Sequence, residues 1–300
     1  MDLSVVVPTL NGREQLARTL DSVSEHASGV EVIVVNGPSA DGTTGMVRDR
    51  TDVDVLVEIA DRSTNAARNA GIDHATGDAI AFVNQGVSVT DGWERAIRTG
   101  LREAPIVTGP THQRVRAGKT TEQAETGTVA GRSVTFLNPD TVALTRNVLA
   151  DLDGFDEHVH VADARDVSHR AAGLSREVAW RAGMAVERPV GADGGKHETD
   201  WDREYRSLAY RLAKNYGLRP SVLARIGWRA VSDAKSQFRA VLAGERPPTV
   251  WLRAGRDVLT ATPGGFKDGI AARARDRSDR RNPHGRSTGE DRVVAVYDSR

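Results

Sequence analysis

The sequence predicts an open, mostly parallel α/β sheet with flanking helices, followed by a helical C-terminal extension. Strand and helix patterns alternate through the first 110 residues, as parallel βαβ units require. The candidate strands Leu3–Val7 and Val30–Val35 are unbroken apolar runs, which suits strands covered on both faces. Beyond residue 200 the pattern becomes long and helical.

The elements follow in order. Leu3–Val7 is closed by Pro8, and Asn11 is placed to cap the next helix, whose Leu16, Leu20 and Val23 share one face. Val30–Val35 leads into the loop Asn36 to Thr43, dense in turn residues and lying at a strand's carboxyl end, where open α/β sheets bind ligands. Val53–Val57 is a third, weaker strand, Asn65–Ile72 a short helix, Ala79–Val83 a fourth strand and Trp93–Arg98 a helix. Between 101 and 160, Pro105–Thr108 and Thr141–Thr145 read as strands of an acceptor-side subdomain, with a polar loop Arg114 to Glu125 between them. Residues 161–173 form a helix stopped by Gly173, and the stretch Glu177 to Val190 holds another strand. Gly191 to Lys196 reads as a glycine-rich hinge or lid. Tyr205–Lys214 and Ser221–Leu242 are helical and are broken by Pro247–Pro248, while the last 25 residues are either draped over the surface or disordered. The division expected is a catalytic domain over 1–200 and a basic helical extension over 201–300.

With 39% hydrophobic and 27% charged residues the chain reads as globular. It has no apolar run long enough for a membrane span, and Met1–Val7 reads as a strand rather than a signal peptide. Zero cysteines exclude disulfides, thiolate zinc sites and cysteine nucleophiles, and agree with an intracellular location. The net charge of zero hides an asymmetry: residues 1–202 carry 20 basic and 31 acidic side chains, residues 203–300 carry 21 and 10. Arginine dominates, with five lysines in the chain, which suits gripping phosphate oxygens in pairs. The basic third, alternating apolar and arginine residues, is expected to lie on an anionic membrane surface at the cytoplasmic face. Nucleic acid is not expected as a partner, because interleaved exposed aromatics that would stack bases are missing.

Four motifs in order resemble family 2 glycosyltransferases: Ser4–Asn11; Val32–Asn36 with Ser39 and Asp41–Thr43; Ala67–Gly71; and Gly154–Glu157. The resemblance covers residues 1 to about 190 and implies a GT-A-like domain. Such a domain moves a sugar from a nucleoside diphosphate to an acceptor hydroxyl, commonly with inversion. The remainder, from Tyr205 to Gly217 and around Arg277 to Arg286, resembles haloarchaeal members associated with protein glycosylation. That likeness implies a lipid-linked or glycan acceptor, on the route to surface-layer protein.

For the nucleotide-sugar donor the resemblance implies Pro8, Thr9, Asn11, Asn36, Asp41, Arg68, Asn84 and Gln85. Asn36 stands where the family often has an aspartate reading the nucleobase or ribose, Asp41 is expected to hold its loop through backbone N–H groups, and Arg68 is expected along the nucleotide. Arg68 also reads as a surface arginine. The departing diphosphate needs cationic compensation, in the family a divalent metal, magnesium or manganese, held by aspartates after the fourth strand. Here that motif is Asn84–Gln85–Gly86, and amides are poor neutral substitutes for carboxylates. Three solutions stay open: weak ligation through Asn84 and His197, replacement of the metal by arginines, or a non-catalytic binding or partner subunit. By the resemblance, counting back from Arg170 puts Ala164 at the base position, and a one-residue adjustment makes Asp163 the expected general base with Asp166 as runner-up, both able to face the cleft from a helix start. Asp163 also reads as an N-cap, and His158, His160 and His169 read as packing residues rather than metal ligands.

Overall fold

The computed structural model describes residues 1–113, 123–189, 199–285 and 292–300. The expected lid at 191–196, His197 and most of the loop from Arg114 lie outside these described residues. An eight-stranded sheet forms the centre. Its strands are β1 (Leu3–Thr9), β2 (Glu31–Asn36), β3 (Val55–Ile59), β4 (Ala79–Val83), β6 (Ile106–Thr108), β10 (Thr141–Thr145), β11 (Val178–Trp180) and β13 (Val293–Asp298). They run in the order β11-β6-β10-β4-β1-β2-β3-β13. Pairings β1–β2, β1–β4, β2–β3 and β6–β11 are parallel, whereas β10 is antiparallel to β4 and β6, and β13 to β3. Strand order therefore reverses at β1, which opens a crevice beyond the tips of β1, β2 and β4.

The apolar runs are continuous because both faces are covered. Val5 and Val7 point into one cluster with Leu16, Leu20 and Trp93. Val6 points the other way, among Ile33, Phe82, Ala67 and Ile72. The first layer is built by α1 (Arg13–His26) and α4 (Trp93–Gly100), and the second by α3 (Thr64–His74), α5 (Arg146–Leu152) and α6 (Asp163–Gly173). Small strands lie outside the main sheet: β5 (Ser88–Val89), β12 (Val186–Arg188) and β7 (Thr111–Gln113) form one sheet, and β8 (Thr126–Val129) and β9 (Arg132–Thr135) a hairpin.

Two expectations are corrected, and of the two readings of the last 25 residues β13 takes the draped one. Asn11 does not cap α1: Gly12 holds the N-cap position at φ 93°, and the free N–H groups of Gly12 and Arg13 are taken by Asp41, at 2.6 and 3.0 Å, from the loop before α2 (Thr43–Arg48). The segment 101–160 is no separate subdomain, since β6 and β10 extend the central sheet. At the end of the chain, β13 is draped along the edge of β3 and covers its open hydrogen-bonding groups.

Helices α7 (Trp201–Tyr216), α8 (Pro220–Leu242) and α9 (Pro248–Arg275) follow. In α9 a Cβ on Gly265 or Gly269 would stand 2.3 or 2.4 Å from the α7 backbone oxygens of Arg206 and Tyr210, so glycine at both positions lets the two helices touch backbone to backbone. From α7, Lys214 reaches under the sheet layer to Asp156 and Asp166, and all three side chains are fully buried.

Candidate functional site

The loops at the crevice are laced by their own polar groups. The Gly37 N–H donates to the Thr9 carbonyl at 2.9 Å, the Asn11 N–H to the Ser39 hydroxyl at 2.8 Å, and the Ala40 N–H to the Asn11 side-chain oxygen at 3.0 Å. Asp41 accepts from Gly12, Arg13 and Thr43. The Thr43 hydroxyl, then the Arg13 N–H, hold its carboxyl well below the usual carboxylate range, against a smaller opposing effect of desolvation. Asp41 thus shapes the loop through backbone N–H groups. Asn36 is buried, with its amide donating to Thr44 at 3.0 Å and accepting from Ser39 at 2.7 Å. Asn11, Asn36 and Asp41 therefore serve the loop and do not line the hollow beside it.

That hollow, about 350 Å³, is lined by Pro8, Thr9 and Leu10 after β1, Gly37 after β2, Asp61 to Thr64 at the start of α3, Ala67 and Arg68, Asn84 and Gln85 after β4, Asp163, and Arg188 of β12. Of the residues expected to bind donor, Pro8, Thr9, Arg68, Asn84 and Gln85 meet here, together with the expected base. Asn36 sits in register with Thr9 but beneath the loop surface.

Arg68 is the hub. One guanidinium nitrogen donates to Asn65 at 3.0 Å and pairs with Asp163, and the other donates to Asn84 at 2.9 Å. Its Nε–H is buried without a partner. Asp163 is the first residue of α6, with Ala162 in the N-cap place. One carboxylate oxygen takes the Ala164 N–H at 2.7 Å and the other takes Arg68. Each oxygen keeps further acceptor capacity, and the residue lines the hollow. Asp166 departs from expectation: it is buried against Arg170 at 2.8 Å, Lys214 at 2.9 Å and Asn215 at 3.0 Å. Burial alone would raise its carboxyl, but Lys214 and Arg170 outweigh that and hold it below the usual range. It faces the core, because α7 supplies a cation on that side of α6.

Two motifs act as couplers. Asn69 donates to the Phe155 carbonyl and to Glu157, each at 2.9 Å, and accepts the Phe155 N–H at 2.8 Å. Arg170, fully buried, donates to the carbonyls of Leu152 and Gly154 at 2.7 and 3.0 Å. Together they lock Gly154–Glu157 beneath the hollow. Nothing in the residue pattern announced Arg188, Asp140 or Asp61. The Asp140 carboxylate takes Arg188, the Asn84 amide at 3.2 Å and the Thr111 hydroxyl at 2.9 Å, and Asp61 pairs with Arg292 at 3.0 Å.

The strand tip does not fit a divalent metal. The Asn84 amide oxygen faces the Arg68 guanidinium, and the Gln85 amide oxygen accepts from Thr9 and from the Leu10 N–H at 3.2 Å. Among the described residues no group of three or more His, Cys, Asp or Glu side chains could hold a metal ion. His158 packs on Tyr210 and His284 instead.

Solved structures share this architecture. A Pyrobaculum calidifontis mannosyltransferase in complex with GDP-mannose and Mn2+ aligns with a TM-score of 0.57 at 17% identity, over 89% of this chain and 87% of that one. S. aureus TarS 1–349 in complex with UDP-GlcNAc aligns at 0.62 and 18% identity, over 97% and 91%. The fold is that of a GT-A glycosyltransferase. Residues 4–126 match the model of glycosyl transferase family 2. Among curated relatives, glycosyltransferase AglE of Haloferax volcanii is 31% identical over 105 residues, 32% of this chain and 34% of AglE. The pre-mycofactocin glycosyltransferase of Mycobacterium tuberculosis is 24% identical over 185 residues, 56% and 38%. The alignments thus span little more than a third of the length of these relatives.

Proposed function

We propose that this protein transfers a sugar from a nucleoside diphosphate to an acceptor hydroxyl, with the hollow beyond β1 and β4 as the donor site. One observation carries the reading: in a GT-A chain, Thr9, Arg68, Asn84 and Gln85 line the same small hollow as a carboxylate, Asp163. Asp163 accepts the proton of the acceptor hydroxyl as its oxygen bonds to the anomeric carbon. The bond from that carbon to the diphosphate oxygen breaks, and the nucleoside diphosphate leaves. Arg68 holds Asp163 at the hollow and presents positive charge to the leaving group.

The residues 1–200 form the transferase unit in this reading, and 201–300 form a surface-binding extension. No helix among the described residues is long and apolar enough to cross a membrane. Yet α8 and α9 leave Trp228, Leu252 and Leu259 at 74, 62 and 76% exposure, beside exposed Arg225, Arg229, Arg253 and Arg256. Apolar side chains flanked by arginines fit an anionic bilayer. The acceptor then is a lipid-linked glycan on the cytoplasmic face, on a route to protein glycosylation.

Hydrolysis and transfer assays with UDP- and GDP-sugars test the reading, with Asp163→Asn as control. Turnover that falls at least a hundredfold in the variant supports it, at the typical weight of a general base. Donor binding without turnover in the unmutated protein would instead mark a non-catalytic binding subunit. Flotation with phosphatidylglycerol vesicles, set against neutral vesicles, tests the extension.

A further inference from the structure

The strand tip that carries metal-binding carboxylates in the resemblance carries arginine-bound amides here. Asn84 is tied at both ends, its oxygen to Arg68 and its nitrogen to Asp140, while Arg188 closes the row from β12 through the same Asp140 carboxylate. Among the described residues, the carboxylates at or behind the hollow are each held by a guanidinium: Asp163 by Arg68, Asp140 by Arg188 and Asp61 by Arg292. A divalent cation placed here would have to displace an arginine from each ligand and would meet like charge at every approach. Arg62, Arg68 and Arg188 line the hollow, with Arg68 and the Arg188–Asp140 pair at the two ends of the Asn84 amide, and the buried Nε–H of Arg68 has no partner.

We propose that Arg68 and Arg188 hold the donor's diphosphate in place of a divalent metal, so that donor binding is metal-independent. The proposal rests on the donor site described above. Guanidinium supplies paired N–H donors in the geometry of phosphate oxygens, and its charge cannot be lost by deprotonation. Arg68 is fixed by Asn65, Asp163 and Asn84 before any ligand arrives, so little side-chain entropy remains to be lost on binding. The amides are then an adaptation: a carboxylate at position 84 would add a second anion to Arg68 beside Asp163 and repel the diphosphate, whereas a neutral oxygen orients the guanidinium.

The test is calorimetric titration of the full chain with UDP and with GDP, in excess EDTA and in excess manganese. The expected result is a Kd that agrees within about threefold between the two conditions for the nucleotide that binds. Arg188→Ala, with an unchanged melting temperature, should weaken that binding in EDTA by roughly 10- to 100-fold, the weight of one or two charge-assisted hydrogen bonds. Arg188→Lys should recover only part. Binding that strengthens more than tenfold with manganese, or that is indifferent to Arg188→Ala, overturns the proposal while leaving the transferase reading intact. Failure of both nucleotides to bind in either condition overturns the donor site itself, and this proposal with it.

Discussion

Replacing Lys214 by methionine should unfold the junction between α7 and the sheet before it touches any chemistry. The ammonium is fully buried and pairs with Asp156 and, at 2.9 Å, with Asp166. Asp166 keeps Arg170 and Asn215 when the lysine is lost. Asp156 keeps only neutral donors, the Tyr210 hydroxyl at 2.9 Å and the His158 N–H at 3.0 Å. Removing one partner of a buried pair costs about 3–5 kcal/mol, because the other charge stays desolvated. For a chain of this size that corresponds to a fall in melting temperature on the order of 10 °C. The cost should be recoverable: Lys214→Met with Asp156→Asn removes the stranded charge and should return at least half of the loss. The pH dependence adds a check. The folded-state carboxyl of Asp166 is depressed, so its contribution is present above the ordinary value of about 4 and lost as pH falls. Without Lys214 the desolvation of Asp166 goes less opposed, its folded-state carboxyl rises toward the ordinary value, and the acid loss contributed by Asp166 should shrink. Urea unfolding of the parent, Lys214→Met, Asp156→Asn and the double variant, followed by circular dichroism at several pH values, measures both effects. A single variant within about 1 kcal/mol of the parent, or a double variant no better than the sum of the singles, would refute the buried-charge account.

Other expectations are as direct. His169 is buried with its ring nitrogen 2.8 Å from the Tyr216 hydroxyl, and burial pushes its pKa down to about 3. Its contribution is therefore complete above the ordinary value near 6.5 and declines as pH falls toward 3, by up to about 1.4 kcal/mol per pH unit. His169→Gln should flatten that limb in pH-dependent unfolding. Asp41→Ala frees the N–H groups of Gly12 and Arg13 and should cost about 1 kcal/mol, the usual weight of a helix cap, read as a shift in urea midpoint. Gly71→Ala would place a Cβ 2.4 Å from Val6 Cγ1. It should destabilise by about 1–3 kcal/mol despite the better helix propensity of alanine, and Gly71→Ala with Val6→Ala should relieve the clash.

Asp163→Asn and Asp166→Asn should separate cleanly. The first should lose turnover with little change in melting temperature, and the second should lose melting temperature first, since Asp166 is buried against Lys214 and Arg170.

The sequence by itself determined the strands of the central sheet except β13, and most of their flanking helices. A strand buried on both faces must be apolar at every position, as Val5, Val6 and Val7 are, and such runs are visible without neighbours. What only the tertiary structure decided is which polar residues face the hollow. Asp163 and Asp166 are indistinguishable as letters on one helix turn. They part because α7, remote in sequence, sets Lys214 behind Asp166, while α3 sets Arg68 before Asp163. In the same way Asn84 reads as a missing ligand until Asp140 and Arg188 are seen on its far side. Charge pairing acts over a few ångströms in space and has no period along the chain, so no pattern of residues could have announced it.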